Sequence, residues 1–233
     1  MSRLVSDQSL VSGAARDRLR GFAVPIAKGL GRLGLTPNAL TVIGFAGTAA
    51  AAVAAAIGAW AVAGVLVIAF GIFDLFDGAL ARATGRASAF GAFLDSTLDR
   101  TGESLVLVGV SVGCAIAGFM EGVALAGLAA AFASSVTYAR AKAESLGLKG
   151  DVGIAPRPER LLLLSLGLVV AGLLGGVGPF PVPAGGVRID DPLRHGSLPL
   201  LIALGLIALL SAVTMLQRIL SVRRQLGGRP NPR

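Results

Sequence analysis

The chain has 233 residues, of which 54% are apolar and 15% charged, with a formal net charge of +8 and a mean hydropathy of +0.78. Soluble domains carry about 25% charged residues, so this balance excludes an ordinary soluble enzyme and points to a membrane protein. Its 33 glycines suit closely packed membrane helices, where small residues let backbones approach. Nothing resembles a nucleic-acid module, and the positive charge is accounted for by basic residues flanking apolar segments and by attraction to anionic lipid.

The first segment, 1–38, reads as a cytoplasmic juxtamembrane arm. It carries Arg3, Arg16, Arg18, Arg20, Lys28 and Arg32, with no apolar core of a cleaved leader. From Ser12 to Leu33, the apolar Leu19, Phe22, Val24, Ile26 and Leu30 alternate with basic residues, predicting an amphipathic helix in the interface. Thr36-Pro37-Asn38 then breaks the chain.

Residues 39–220 read as one all-α membrane domain. Hydropathy predicts six spans near the length a bilayer requires: Ala39–Ile57, Trp60–Leu80, Ala92–Phe119, Gly122–Ala143, Leu161–Val177 and Leu198–Leu216. The third is long enough to project beyond the hydrocarbon. Arg82 and Arg86 mark the second loop, and Arg140, Lys142, Lys149, Arg157 and Arg160 the fourth. Arg218, Arg223, Arg224, Arg229 and Arg233 mark the last helix end and the basic tail, 221–233. The intervening loops hold only Arg188 and Arg194, balanced by Asp190 and Asp191. This asymmetry predicts a multi-pass protein of the cell membrane with both termini in the cytoplasm. Cys114, alone and mid-span, reads as packing, and the lone His195 in an irregular exterior loop offers no metal site.

The chemistry concentrates between Asp74 and Asp99. Asp74 and Asp77 are three apart, Asp95 and Asp99 four apart, so on helices each pair shares a face. Charge beside a bilayer is costly and marks function. Four carboxylates converging from two helices become tolerable around hard divalent cations such as Mg2+ or Mn2+. On the first of these helices Gly78 and Ala81 leave room for a bulky group, while the Arg82 guanidinium suits phosphate. Simple pairing of acids with nearby arginines at a helix end is the plainer alternative. Four acids in two helical pairs, joined by a loop with Gly85 and Gly91, weigh against it. Glu103 extends the 95, 99, 103 stripe, either as a support for the carboxylates or as a partner for Arg100.

The pattern Asp74-x2-Asp77-Gly78-x2-Ala81-Arg82-x8-Gly91-x3-Asp95-x3-Asp99 resembles the complete signature of the CDP-alcohol phosphotransferase family. The six-span layout fits it too, so the resemblance covers nearly the whole chain. Members of that family transfer a phosphatidyl-type group from a CDP-linked lipid to an alcohol and release CMP. The resemblance implies that Asp74, Asp77 and Asp95 hold two Mg2+ or Mn2+ ions. It implies that Asp99 takes the proton of the attacking hydroxyl and also touches a metal. Gly78, Arg82 and Ser88 would bind the CDP portion, and Pro37, Asn38 and Thr41 match the segment closing around the nucleotide. The signature fixes the donor better than the acceptor.

Cationic residues at the same cytoplasmic side suit a phosphorylated acceptor, although positive-inside bias alone could place any one of them. With the basic arm and the segment Thr36-Pro37-Asn38-Ala39-Leu40-Thr41, they resemble the actinobacterial phosphatidylinositol phosphate synthases within the family. That resemblance implies CDP-diacylglycerol as donor, inositol 1-phosphate as acceptor, Arg140, Arg157 and Arg218 with Lys142 at the acceptor phosphate, and a homodimer. Phosphatidylglycerophosphate synthesis is the alternative within the class. An ion-coupled transporter is the remote one, and it would need acids near the bilayer midplane.

Overall fold

The computed structural model describes residues 25–27, 29–178 and 195–227, leaving aside the side chains of Asp74 and Leu75. Among the described residues the chain is all helical: α1 Pro37–Ala56, α2 Trp60–Gly71, α3 Phe73–Thr84, α4 Ala89–Ile116, α5 Met120–Ser145, α6 Arg157–Leu173 and α7 Ser197–Gly227. Among these described residues four stretches are long and apolar enough to cross a membrane: Pro37–Ala56, Trp60–Thr84, Met120–Ser145 and Ser197–Gly227.

Local chemistry sets the helix starts. Thr36 caps α1, its hydroxyl accepting from the Ala39 N–H, with Pro37 at the first helical position. Ser88 caps α4 in the same way, accepting from the Gly91 N–H. Gly85, at φ 66°, closes α3 in the left-handed conformation a Cβ would strain.

Glycines set how the helices pack. On α4, Gly109 and Gly113 have no room for a Cβ because the carbonyls of Ala52 and Ala55 on α1 lie against them. Gly102 faces Thr48 one register earlier. The two helices therefore run parallel, backbone to backbone. Gly44 and Gly47 of α1 receive Phe73 and Phe70, and this order makes α2–α3 antiparallel to α1. Gly64 meets Ser165 and Val169 while Gly172 meets Ala61, so α6 opposes α2. Gly167 meets Ala203, setting α7 against α6. The bundle thus alternates in direction, and one end collects the starts of α1, α4 and α6 with the ends of α3, α5 and α7.

Several boundaries differ from the sequence reading. The expected second span divides at Ile72 into α2 and α3, where Phe70, Phe73 and Phe76 form a ring ladder with centroids 5.4 and 6.0 Å apart. The Phe70 ring fills the notch at Gly47 and the Phe73 Cβ lies over Gly44, while Phe73 and Phe76 pack on the Leu40–Leu80 cluster. The helix α7 continues through Gly227, so the first part of the expected tail is helical. Of the expected interfacial helix, 25–27 and 29–32 are helical, with Ala27 buried against Leu40, Ala79 and Leu80. The remainder of that helix, Lys28 included, lies outside the described residues, as does most of the exterior loop.

Candidate active site

Thr41 and Asn38 stand one turn apart at the start of α1 and address two different helices. The Thr41 hydroxyl donates to Asp77 Oδ2 of α3 at 2.7 Å, and Asp77 is buried. Asn38 points the other way. A Cβ on Gly91 would meet its Oδ1 and the Ser88 Oγ at 3.1 Å each, so the opening of α4 closes against the opening of α1 only because residue 91 is glycine. Both α3 and α4 lie against α1, which holds the two acid-bearing helices in one frame. On α3 the Arg82 guanidinium folds over Gly78, its nearest nitrogen 3.3 Å from where a Cβ would stand. Five of the six residues expected at the nucleotide (Asn38, Thr41, Gly78, Arg82 and Ser88) thus have their side chains or backbone in this frame. Pro37 contributes its carbonyl, which also accepts from Thr41 at 3.2 Å.

Asp95 and Asp99 follow one turn apart on α4, both partly buried. Asp99 Oδ2 accepts from Arg157 Nη1 at 2.5 Å across to the first turn of α6. Arg157 occupies that turn because Pro156 and Pro158 fix the backbone where a helix begins, at positions needing no N–H donor. Among the described residues no three acidic, histidine or cysteine side chains form a group able to hold a metal ion. The side chain of Asp74, the fourth expected ligand, lies outside them. The donor chemistry nevertheless fits: Asp77, Asp95 and Asp99 offer carboxylate oxygens, the ligands hard divalent cations prefer. Asp77 moreover has its carboxylate buried and oriented by a hydroxyl.

Arg218 is buried in the last turns of α7. It donates from Nη1 to the Val136 carbonyl of α5 at 2.6 Å and from Nε to the Val152 carbonyl at 2.9 Å. It feels the repelling charges of Arg140 and Arg160 and the attracting charges of Asp151 and Glu144. Lys142 and Arg218 line one groove of about 590 Å³ between α5 and α7, otherwise walled by residues such as Met215, Ile219 and Val222. Arg140 forms an exposed pair with Glu144 at 2.8 Å, and both lie near enough to act on the charge of Arg218. The structure therefore pairs Arg157 with Asp99 and sets Lys142 and Arg218 in the wall of one groove, while Arg140 pairs with Glu144.

Three features escaped the sequence reading. The partner of Glu103 is neither a carboxylate of the cluster nor Arg100 but Arg160, through a buried two-pronged bridge of 2.7 and 2.8 Å. Four-residue spacing of acids on α4 opposite Arg157 and Arg160, three apart, was the available signal. Gln225 clasps the backbone of Lys149, accepting from its N–H and donating to its carbonyl at 2.9 Å each. The Thr214 hydroxyl accepts from the Ala155 N–H at 3.2 Å. Neither of the last two leaves a mark in sequence spacing.

A family profile described as CDP-alcohol phosphatidyltransferase matches residues 34–222. The chain is 38% identical over 202 residues to the phosphatidylinositol phosphate synthase of Cutibacterium acnes, covering 86% of this chain and 91% of that one. It is also 38% identical over 161 residues to the archaetidylinositol phosphate synthase of Methanothermobacter thermautotrophicus, covering 69% and 76%. Among solved structures it resembles the Mycobacterium tuberculosis phosphatidylinositol phosphate synthase in complex with manganese and citrate. There the TM-score is 0.72 at 32% identity, over 86% of this chain and 88% of that one. The same enzyme with CDP-DAG bound gives a TM-score of 0.70 at 32% identity, over 86% and 92%.

Proposed function

Since the chain belongs to the CDP-alcohol phosphatidyltransferase family, we propose that it moves the phosphatidyl group of CDP-diacylglycerol onto inositol 1-phosphate and releases CMP. Membership makes it an enzyme of phospholipid synthesis and sets the transporter reading aside. The donor assignment is supported by the shared frame of Asn38, Thr41, Gly78, Arg82 and Ser88, and by the donor bound in the tuberculosis relative. One observation carries the acceptor assignment: Arg157, which suits a phosphate, sits on the carboxylate of Asp99.

In this reading Asp74, Asp77, Asp95 and Asp99 would hold two Mg2+ or Mn2+ ions. Such ions supply charge neutralisation at the pyrophosphate and its leaving group. The protein's own residues do the rest. Thr41 fixes the Asp77 carboxylate, and Gly78 leaves the space that Arg82 covers with a cation. Arg157 draws the acceptor's phosphate toward α6, so that a hydroxyl on the same small molecule comes within reach of Asp99. Asp99 takes that proton as the hydroxyl oxygen bonds to the lipid-side phosphorus and the bond to CMP breaks. Lys142 and Arg218 add positive charge along the acceptor's approach, and Arg140 belongs to the outer rim of that field.

All six segments cross the membrane in this reading. Outward-facing Val108, Val112 and Ile116 on α4, with Leu162 and Leu166 on α6, give those two helices the lipid-compatible exteriors the other four have by composition. At 1.5 Å per residue α4 is about 42 Å long, so its acid-bearing first turns extend past a ~30 Å hydrocarbon core. Residues 1–38 then form a cytoplasmic arm, 39–220 the membrane domain and 221–233 a basic extension. The site end faces the cytoplasm and the chain works as a homodimer.

The decisive experiment incubates purified protein with CDP-diacylglycerol and Mg2+ beside inositol 1-phosphate, inositol or glycerol 3-phosphate, reading the lipid product. Phosphatidylinositol phosphate is expected. Preference for glycerol 3-phosphate would replace the acceptor assignment with phosphatidylglycerophosphate synthesis. Asp99→Asn is expected to abolish turnover while CDP-diacylglycerol still binds, and full activity in that variant would remove the residue from its role.

A further inference from the structure

One turn deeper than Asp99 and Arg157, the same two helices are joined a second time. Glu103 follows Asp99 by four residues and Arg160 follows Arg157 by three, and the two side chains meet in the fork-to-fork bridge described above. The two joints differ in kind. The outer one joins side chains 24% and 21% exposed through Arg157 Nη1 and Asp99 Oδ2, whereas the inner one is paired at both prongs, at 2% and 6%.

The inner bridge also governs a loop. Arg160 Nη1 donates to the Ala155 carbonyl at 3.0 Å, and the Ala155 N–H donates to Thr214 of α7. Gly153, at φ 140°, has no room for a Cβ because Thr214 lies against it, and the Val152 carbonyl accepts from Arg218. Loop 151–156 is therefore fastened to α4 through Glu103 and Arg160, and to α7 through Thr214 and Arg218. Arg157 is the first residue after it.

Burying an ion pair costs desolvation that apolar side chains of similar size avoid, so such a pair contributes little net stability and its attested use is to fix register. We propose that Glu103 and Arg160 are positioning residues for the acceptor: they set the start of α6 so that Arg157 meets the acceptor's phosphate in front of Asp99. This rests on the reading of Arg157 as the phosphate's ligand. Neither residue touches the reacting atoms.

The test compares wild type with the double variant Glu103→Leu/Arg160→Met and with Arg160→Lys, which keeps the charge but loses the fork. Measured are KM for each substrate, calorimetric binding of inositol 1-phosphate, and the thermal unfolding midpoint. The double variant is expected to unfold no earlier than wild type, with acceptor KM and dissociation constant raised about tenfold or more and donor KM within twofold, since small misplacements of a binding group carry costs of that size. Arg160→Lys is expected to stay folded at a somewhat lowered midpoint, since a buried hydrogen-bond acceptor loses its partner, and to raise acceptor KM several-fold with donor KM within twofold. It decides the matter should the double variant not fold. An unchanged acceptor KM in a folded variant, or equal rises for both substrates, would overturn the inference while leaving the proposed activity standing. A wild-type enzyme that ignores inositol 1-phosphate would overturn the activity, and the inference with it.

Discussion

Thr41 divides its hydroxyl between the Pro37 carbonyl, where it behaves as any helical threonine, and the buried carboxylate of Asp77. A hydrogen bond to a charged group contributes about 1.5–3 kcal/mol, and here it also orients an acid that the proposed mechanism sets at the donor's pyrophosphate. Thr41→Val, of nearly the same shape, is expected to lower the unfolding midpoint and raise the KM for CDP-diacylglycerol, with Thr41→Ser close to wild type. Steady-state kinetics on the three proteins decide it, and a valine variant with unaltered donor KM would make the contact merely structural. The role of Thr41 was legible in sequence only as a position matching a family segment. Its reach to Asp77, 36 residues on, depends on the angle at which α1 crosses α3, which spacing along one chain does not encode.

At the level of helices, the parallel pair α1–α4 depends on two glycines whose missing side chains admit main-chain carbonyls. Gly109→Ala would drive a methyl group into the Ala52 carbonyl, and overpacking of this kind costs about 1–3 kcal/mol. Gly127 on α5 makes a fair control, because a Cβ there meets nothing within 4 Å and alanine favours the helix. Thermal unfolding in detergent is expected to show Gly109→Ala destabilised and Gly127→Ala unchanged or raised. The apolar segments themselves were legible in sequence, since each helix announces itself by a run of hydrophobic residues. The division at Ile72 was not. It follows from where Phe70 and Phe73 find notches on another helix, and hydropathy is blind to notches. The partner of Glu103 was hidden for the same reason: nearby Arg100 was visible in sequence, whereas Arg160 comes close only through the crossing of α4 and α6.

For the molecule as a whole, alternation of helix direction gathers Arg86, the loop 151–156 and the end of α7 at one pole, and the turn before Met120 at the other. Basic residues had predicted that grouping, because their asymmetry follows the same alternation. A cytoplasmic site pole has a direct check. In sealed inverted vesicles a membrane-impermeant thiol reagent should label Arg86→Cys but not Glu121→Cys, with the pattern reversed in right-side-out cells. Both parent residues are exposed, and the buried Cys114 should stay silent. Labelling of both positions from one side would break the proposed topology.

The joint between Asp99 and Arg157 bears on economy in the proposed transferase, whose activated lipid must be kept for the acceptor. In the proposed reaction, water that attacked the lipid-side phosphorus in place of the acceptor would yield phosphatidic acid and CMP with nothing gained. In the proposed mechanism the Arg157 guanidinium engages Oδ2 of the carboxylate that would accept the proton, and an incoming anion would compete for the arginine. Arg157→Gln should therefore release more CMP than wild type when no acceptor is present, even as its lipid synthesis falls. Chromatography of the two phosphorus-containing products would show whether idle turnover is held in check by the guanidinium on Asp99.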